Sequence, residues 1–330
     1  MMDGTLLAEL QSALAHQYSL ERELPRGGMS RVFVATENAL RRRVVIKVLA
    51  PELAASLSAE RFKREISLAA RLQHPHIVPL LSAGQAGLHL YYTMPFVEGE
   101  SLRQRMVRER PMMFDDISTI IEQVAGALGY AHAEGIVHRD IKPENVMFFH
   151  GQAVVLDFGI GKALISASTT ETEAEIMHIT QAGISLGTPT YVAPEQAAGD
   201  PALDHRADLY ALGVVSYEMI TGHPPFAGRS APAVIQAHAN QLPEPLASRR
   251  PDVPKPLAAI VMRTLEKRPS DRPATGEEIV KALAAPTATR HSGGGPVIES
   301  LANAPWWLPW AIAGLTTIVA MALAVLYVMR

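Results

Sequence analysis

The stretch from His138 to Asn145 brings together side chains that can act in concert on a charged substrate. It holds the carboxylate of Asp140, the ammonium of Lys142 and the carboxamide of Asn145, and Asp157 follows twelve residues after Asn145. A carboxylate can accept a proton and an ammonium can bind an anion, while the side-chain oxygens of Asn145 and Asp157 are hard ligands suited to Mg²⁺. Any one of these residues alone would be assigned to a solvated polar turn, but the combination indicates a site that binds and acts on a charged substrate.

The sequence on either side predicts that these residues lie in a loop. Residues 120–134 have the apolar spacing of a helix, whereas residues 153–156 form a short apolar run typical of a strand. Loops that connect such elements commonly carry the residues that contact a substrate. We therefore expect the polar stretch to connect a helix to a strand.

The run from His138 to Asn145, followed by Asp157-Phe158-Gly159, resembles the catalytic loop and the metal-binding loop of protein kinases. The chain resembles a serine/threonine protein kinase of the bacterial eukaryotic-like (Hanks-type) group. The resemblance implies that Asp140 accepts the proton of a substrate hydroxyl and that Lys142 contacts the transferring phosphate of ATP. It also implies that Asn145 and Asp157 hold Mg²⁺, with Mn²⁺ as the alternative cation.

Composition limits the class of protein. The chain has 330 residues, of which 48% are apolar, so it is long enough for a two-lobed domain with a large core and an appended segment. A net charge of −3 gives no indication of nucleic-acid binding, and the absence of cysteine excludes disulfides and thiolate metal sites. Residues 1–15 lack the basic and apolar regions of a signal peptide.

The predicted fold is α+β and two-lobed, with a β-rich N-lobe over about residues 18–95 and a mainly helical C-lobe over about 96–285. Leucines at helical spacing predict a short helix within residues 1–17 that packs on the small lobe. Residues 77–80 and 88–94 are predicted to be the remaining strands of the N-lobe.

The glycine-rich loop that covers nucleotide in this family resembles the segment after the first predicted strand, although two of the three usual glycines are replaced, by Pro25 and Ser30. Proline fixes φ and serine restricts the backbone, so the grip on phosphate is expected to be weaker. The residues assigned to this loop are Pro25, Arg26, Gly27, Gly28, Met29, Ser30, Arg31 and Val32.

Lys47 ends an apolar strand and matches the family lysine that holds the α- and β-phosphates. Glu65 lies on the apolar face of the next predicted helix and is assigned as the ion-pair partner of Lys47. The resemblance also implies an adenine pocket, with Met94 as gatekeeper and a hinge that includes Val97. The pocket walls are assigned to Val32, Val45 and Met147.

A long segment rich in threonine separates Asp157 from Glu195 and matches the activation segment of the family. A phosphate on Thr180, the favoured site, or on Ser185 is expected to pair with Arg139 and order this segment. Thr188 is expected to bond the catalytic loop. Three further residues are assigned structural roles, namely the pair Glu195 and Arg272, and Asp208, which holds the backbone of the catalytic loop.

The last part of the chain has a different composition. The glycine-rich composition of residues 286–305 predicts a flexible linker, and residues 306–329 contain no charge. A helix of 24 residues is about 36 Å long, which exceeds the roughly 30 Å hydrocarbon core of a bilayer. We therefore expect one membrane-spanning helix, with the kinase domain in the cytoplasm, where ATP is available, and the C-terminus outside the inner (plasma) membrane.

The expected function is ATP-dependent phosphorylation of serine and threonine in protein substrates, including the chain's own activation segment. The alternative is a membrane-anchored pseudokinase or scaffold that binds nucleotide weakly, which the altered Pro25 and Ser30 favour and the intact Lys47 and Asp140 oppose. Self-association through the membrane helix is an additional expectation.

Overall fold

The computed structural model describes residues 3–24, 30–50, 59–158, 189–200 and 202–284, with the backbone alone for residues 3–5, 59–61, 63 and 65. The chain divides into two units, Met1–Pro286 and Thr287–Arg330. Every described residue belongs to the first unit. The predicted linker 286–305 and the predicted span 306–329 lie outside the described residues.

The N-terminal part is built on an antiparallel sheet of five strands in the order β1-β2-β3-β5-β4. Successive residues of β3 point to opposite faces, so the apolar run that ends at Lys47 contributes to two separate apolar clusters. The strands are β1 Tyr18–Glu23, β2 Ser30–Glu37, β3 Arg42–Leu49, β4 Ser82–Ala86 and β5 His89–Pro95.

Each face of this sheet is covered by one helix. Helix α1, Asp3–Leu14, buries Leu10 and Leu14 against one face. Helix α2, Ala59–Ala69, buries Phe62 against the other. The two helices therefore enclose a small lobe whose core has one layer on each side of the sheet.

The prediction of a strand at residues 77–80 is wrong. This segment crosses to the second lobe, where the N–H of Val78 donates to the carbonyl of Val155 and the N–H of Val155 donates to the carbonyl of His76. Pro79 has no N–H to donate, which disfavours a place inside a sheet. The fourth strand begins instead at Ser82.

The second lobe is mainly helical in its described residues. Its central helix, Arg206–Thr221, carries apolar residues on all sides and is accordingly buried along almost its whole length, with Asp208 and Glu218 among its buried residues. The α-helices are α3 Leu102–Arg108, α4 Phe114–Ala133, α5 Pro194–Ala197, α6 Arg206–Thr221, α7 Ala231–Asn240, α8 Leu246–Arg249, α9 Lys255–Thr264 and α10 Gly276–Ala284.

A short hairpin formed by β6, Val146–Phe149, and β7, Gln152–Val155, follows the polar loop. Its two turn residues, His150 and Gly151, have φ of 49° and 80°. Positive φ at both central residues suits the turns that join twisted antiparallel strands. The hairpin folds the chain back so that the residues after β7 lie beside those before β6.

The α+β architecture with a β-rich N-lobe and a helical C-lobe is thus confirmed. Among the helices in the described part of the chain, none has both the length and the apolar character required to span a bilayer.

Candidate active site

Within the catalytic loop, Lys142 and Asn145 both contact Asp140. Lys142 Nζ donates to Asp140 Oδ2 at 2.7 Å, and Asn145 Nδ2 donates to the same oxygen at 3.2 Å and to the Asp140 carbonyl at 2.8 Å. The side chain of Asp140 is 37% exposed, whereas Asn145 is buried. The carboxylate of Asp140 is therefore accessible to a substrate, and the buried amide of Asn145 fixes its orientation.

Asp208, at the start of α6, fixes the backbone of this loop. Its carboxylate accepts hydrogen bonds from the N–H groups of His138 and Arg139, each at 2.7 Å, and contacts His132 Nε2 at 2.8 Å. Burial alone would raise the pKa of Asp208, but these hydrogen bonds hold its pKa below the ordinary value. Asp208 consequently remains an anion inside the core and restrains Arg139, whose φ of 64° is unusual for a residue with a side chain.

His138 connects the catalytic loop to the residues after β7. Its Nε2 lies 2.7 Å from the carbonyl oxygen of Leu156, and its Nδ1 accepts from the N–H of Asp140 at 3.2 Å. The ring also packs edge-on against Phe158, with 4.9 Å between centroids. His138 is thus a buried bridge that sets the position of Asp140 relative to that of Asp157.

Asp157 lies where the two lobes meet. Its Oδ2 forms an ion pair with Lys47 of β3, and its Oδ1 accepts from the hydroxyl of Tyr92 of β5 at 3.3 Å. Its φ of 60° places the backbone in the left-handed region, which is costly for a residue other than glycine. The carboxylate is therefore held by two side chains from the N-lobe.

The site fits a cation that takes few protein ligands. Both hydrogen bonds of the Asn145 side chain use Nδ2, so Oδ1 is left for a cation, and the N–H of Leu156 donates to the Asn145 carbonyl at 2.9 Å, which keeps Asp157 nearby. No cluster of three or more His, Cys, Asp or Glu side chains that could hold a metal occurs in the described residues. Two oxygen donors suit Mg²⁺, which retains water and phosphate oxygens as its other ligands.

The residues assigned to the adenine pocket lie on neighbouring strands. Val45 pairs with Met94 between β3 and β5, and Val32 pairs with Lys47 between β2 and β3. Met147 of β6 forms a bridge to Ser101. Their half-buried or buried apolar side chains, together with the half-buried Val97 after β5, are compatible with the walls of a flat aromatic ligand.

Glu195 and Arg272 form a buried ion pair with both guanidinium terminal nitrogens engaged, at 2.7 and 2.8 Å. Arg272 also donates to the carbonyls of Glu266, Arg206 and Lys267. The pair ties α5 to the segment before α10.

A second charged cluster was not anticipated from the sequence. Arg103 of α3 contacts Glu144 of the catalytic loop at 2.9 Å and the buried Glu218 of α6 at 2.6 Å, and it also bonds the hydroxyl of Tyr191. Tyr191 in turn donates to Glu218 at 2.6 Å. These residues are far apart in the chain and have no motif of their own, so only their contacts identify them.

Several residues that were assigned roles from the sequence lie in segments that the structure does not describe. Residues 25–29 of the glycine-rich loop and Thr180, Ser185 and Thr188 of the activation segment lie outside the described residues, as does the side chain of Glu65. Of the glycine-loop assignment, Ser30 and Arg31 are described at the start of β2, where Arg31 pairs with Glu23.

A β-rich lobe above a helical lobe, with a loop of paired polar residues where they meet, is the architecture of a protein kinase domain. Residues 18–284 match the family model of the protein kinase domain. The chain belongs to the protein kinase family.

Curated relatives agree with this assignment. The chain is 40% identical over 281 residues to "Serine/threonine-protein kinase pkn3" of Myxococcus xanthus, an alignment that covers 82% of this chain and 50% of that protein. It is 39% identical over 272 residues to "Serine/threonine-protein kinase PknB" of Mycolicibacterium smegmatis, covering 81% and 42%. It is 38% identical over 274 residues to the protein of the same name in Mycobacterium tuberculosis, again covering 81% and 42%. The chain thus spans half or less of the length of these relatives.

Proposed function

We propose that this protein is a serine/threonine protein kinase that transfers the γ-phosphate of ATP to hydroxyl groups of protein substrates. The observation that carries the proposal is the contact network of Asp140, Lys142 and Asn145, which presents a half-exposed carboxylate beside an ammonium. The names of the curated relatives point to the same activity.

In the proposed reaction Asp140 accepts the proton of the substrate hydroxyl as its oxygen attacks the γ-phosphorus. The bond from phosphorus to the oxygen shared with the β-phosphate breaks, and ADP leaves with that oxygen. Lys142, 2.7 Å from Asp140, places a positive charge where the transferring phosphoryl group accumulates negative charge. Lys47 is assigned to the α- and β-phosphates, and its pairing with Asp157 keeps the ammonium in the cleft beforehand.

Asn145 and Asp157 are the residues that would hold a divalent cation, for which we propose Mg²⁺. When bound, the cation neutralises charge on the phosphates and orients them for in-line transfer. Before a cation binds, the protein already holds both ligands in place, because Asn145 bonds Asp140 and Asp157 pairs with Lys47.

The test is a phosphotransfer assay on the purified full chain in mild detergent, with labelled ATP and Mg²⁺. We expect label on serine or threonine, both in the chain and in an added protein substrate. The Asp140→Asn variant serves as the control for contaminating kinases. If wild type and variant incorporate equal label while nucleotide still binds, the protein is a pseudokinase or scaffold.

We also propose that residues 306–329 anchor the protein in the inner (plasma) membrane with the kinase domain in the cytoplasm. The support is their uncharged sequence and the match of helix length to bilayer thickness. Self-association through this segment would bring two kinase domains together for phosphorylation of one chain by another.

Regulation by phosphorylation of Thr180 or Ser185 is a further part of the proposal. Arg139 is restrained by Asp208 and by Gln196, whose side chain donates to the Arg139 carbonyl at 2.9 Å. Because the backbone of Arg139 is already fixed, pairing of its guanidinium with a phosphate costs no further backbone entropy. Phosphosite mapping of wild type against Asp140→Asn, followed by kinetics of Thr180→Ala, tests this proposal. Unchanged kinetics without loop phosphate in the wild type would reject it.

A further inference from the structure

The hydroxyl of Tyr92 is a buried polar group at the cleft that the assigned catalytic roles leave unused. Tyr92 lies opposite Lys47 in the pairing of β3 with β5. Directly opposed residues of antiparallel strands project from the same face of the sheet. The tyrosine and the lysine therefore both point towards Asp157.

The tyrosine is well anchored at its ring and polar at its tip. The ring is buried in a cluster with Phe62 and Ile66 of α2, and the residue is 5% exposed. Among the described residues, the hydrogen-bond partner of its hydroxyl is Asp157 Oδ1, at 3.3 Å. An ionised carboxylate can only accept hydrogen bonds, so the phenolic hydroxyl of Tyr92 is the donor in this contact.

Two side chains restrain the Asp157 carboxylate, Lys47 and Tyr92, and we expect that Tyr92 alone of the two still contacts it once ATP is bound. Lys47 holds Oδ2 in the structure but is assigned to the phosphates of ATP when nucleotide is bound. The hydroxyl of Tyr92 has no competing assignment and can remain on Oδ1 throughout. The left-handed φ of Asp157 adds a strained backbone that contacts to the side chain must stabilise.

We propose that Tyr92 is a positioning residue that orients the Asp157 carboxylate for the divalent cation. The inference rests on the proposed function for the identity of the metal site. Residues that orient metal-binding carboxylates typically change metal affinity by about 10–100-fold when removed. A 3.3 Å contact is longer than a strong O–H···O bond, so we expect the lower end of that range, about tenfold.

The experiment compares Tyr92→Phe, which removes the hydroxyl and keeps the ring, with the matched control Tyr91→Phe. Tyr91 is the neighbouring residue, but it is buried in the cluster on the opposite face of the sheet, against α1. Binding of Mn²⁺ to the full chain is measured by electron paramagnetic resonance in the presence of a saturating non-hydrolysable ATP analogue. The Mg²⁺ concentration for half-maximal phosphotransfer and the KM for ATP at saturating Mg²⁺ are measured in parallel.

We expect Tyr92→Phe to raise the dissociation constant for Mn²⁺ and the half-maximal Mg²⁺ concentration about tenfold. The KM for ATP and the kcat at saturating Mg²⁺ should change less than about threefold, because the contact acts on the metal ligand alone. Tyr91→Phe should leave all four quantities unchanged. This split separates positioning of the metal ligand from a general loss of structure.

Equal Mn²⁺ affinity in wild type and Tyr92→Phe would overturn the proposal. The proposal would also fail if Tyr92→Phe weakened Mn²⁺ and ATP binding by the same factor and lowered the melting temperature, because the hydroxyl would then stabilise the fold of the lobe in general. If the Mn²⁺ affinity changes as expected but the wild type transfers no phosphate, the positioning role stands and the proposed kinase activity fails.

Discussion

The buried pair of Glu195 and Arg272 allows a prediction of stability with a worked magnitude. The side chain of Arg272 is 0% exposed and that of Glu195 is 7% exposed. The guanidinium makes two bonds to the carboxylate and three to backbone carbonyls, and it stacks on the ring of Tyr210 at 4.8 Å. Arg272→Ala would therefore leave a buried carboxylate and three carbonyls without their partner.

The expected loss follows from the cost of an uncompensated buried charge. Removing one member of a buried ion pair typically costs about 3–5 kcal/mol. The whole free energy of unfolding of a domain is about 5–15 kcal/mol. At roughly 2–4 °C per kcal/mol for a large domain, Arg272→Ala should lower the melting temperature by about 6–20 °C.

The assay is thermal unfolding of the full chain, followed by circular dichroism, with Asp140→Asn present in every variant to remove differences in phosphorylation. Arg263→Ala is the matched control because its pair with Glu278 is exposed, at 47% and 38%, and should contribute less than about 1 kcal/mol. A double change of Glu195→Gln with Arg272→Met should recover part of the loss. If Arg272→Ala shifts the melting temperature no further than Arg263→Ala, the reasoning from burial is wrong.

The other predictions concern catalysis, pH, packing and the membrane. Asp140→Asn should lower kcat by at least about 10²–10³-fold with little change in the melting temperature, because it removes the proton acceptor and otherwise weakens a partly exposed pair with Lys142. Burial lowers the pKa of His238 to about 4. Between about pH 6.5 and pH 4, His238 therefore binds a proton in the unfolded chain but not in the folded one, so the free energy of unfolding should fall as the pH falls through that range. His238→Gln should reduce the slope of the free energy of unfolding against pH by up to about 1.4 kcal/mol per pH unit. Arg103→Ala, which leaves the buried Glu218 without its cation, should cost about 2–3 kcal/mol. Deletion of residues 305–330 should move an active kinase from the membrane to the soluble fraction.

Each of these predictions has a control and a contradicting result. A normal turnover in Asp140→Asn would remove the proposed mechanism. His223→Gln, at an exposed histidine, should leave the acid slope unchanged, and an equal slope in His238→Gln would exclude that residue as its source. Arg229→Ala, whose partner Gln241 is exposed, should cost far less than Arg103→Ala. A truncated chain that still sediments with membranes would contradict the proposed anchor.

The sequence alone predicted those parts of the protein whose residues are close in the chain or follow a regular period. Asp140, Lys142 and Asn145 lie within one loop, so their types and spacing indicate their chemistry before any fold is known. The two-lobed α+β architecture followed from the resemblance and from apolar periodicity, both of which are local signals. The prediction of a strand at residues 77–80 failed because an apolar run of four residues does not show which lobe it packs against.

Tertiary structure decided the contacts between residues that are distant in the chain. The hydroxyl of Tyr92 and the carboxylate of Asp157 are 65 positions apart, and Arg103 and Glu218 are 115 positions apart. A buried tyrosine in a strand looks like ordinary core in the sequence, and an arginine in a helix looks like a solvated residue. Their roles depend on which polar atoms share a buried space with them, because a hydrogen bond or an ion pair forms across a few ångströms whatever the separation along the chain.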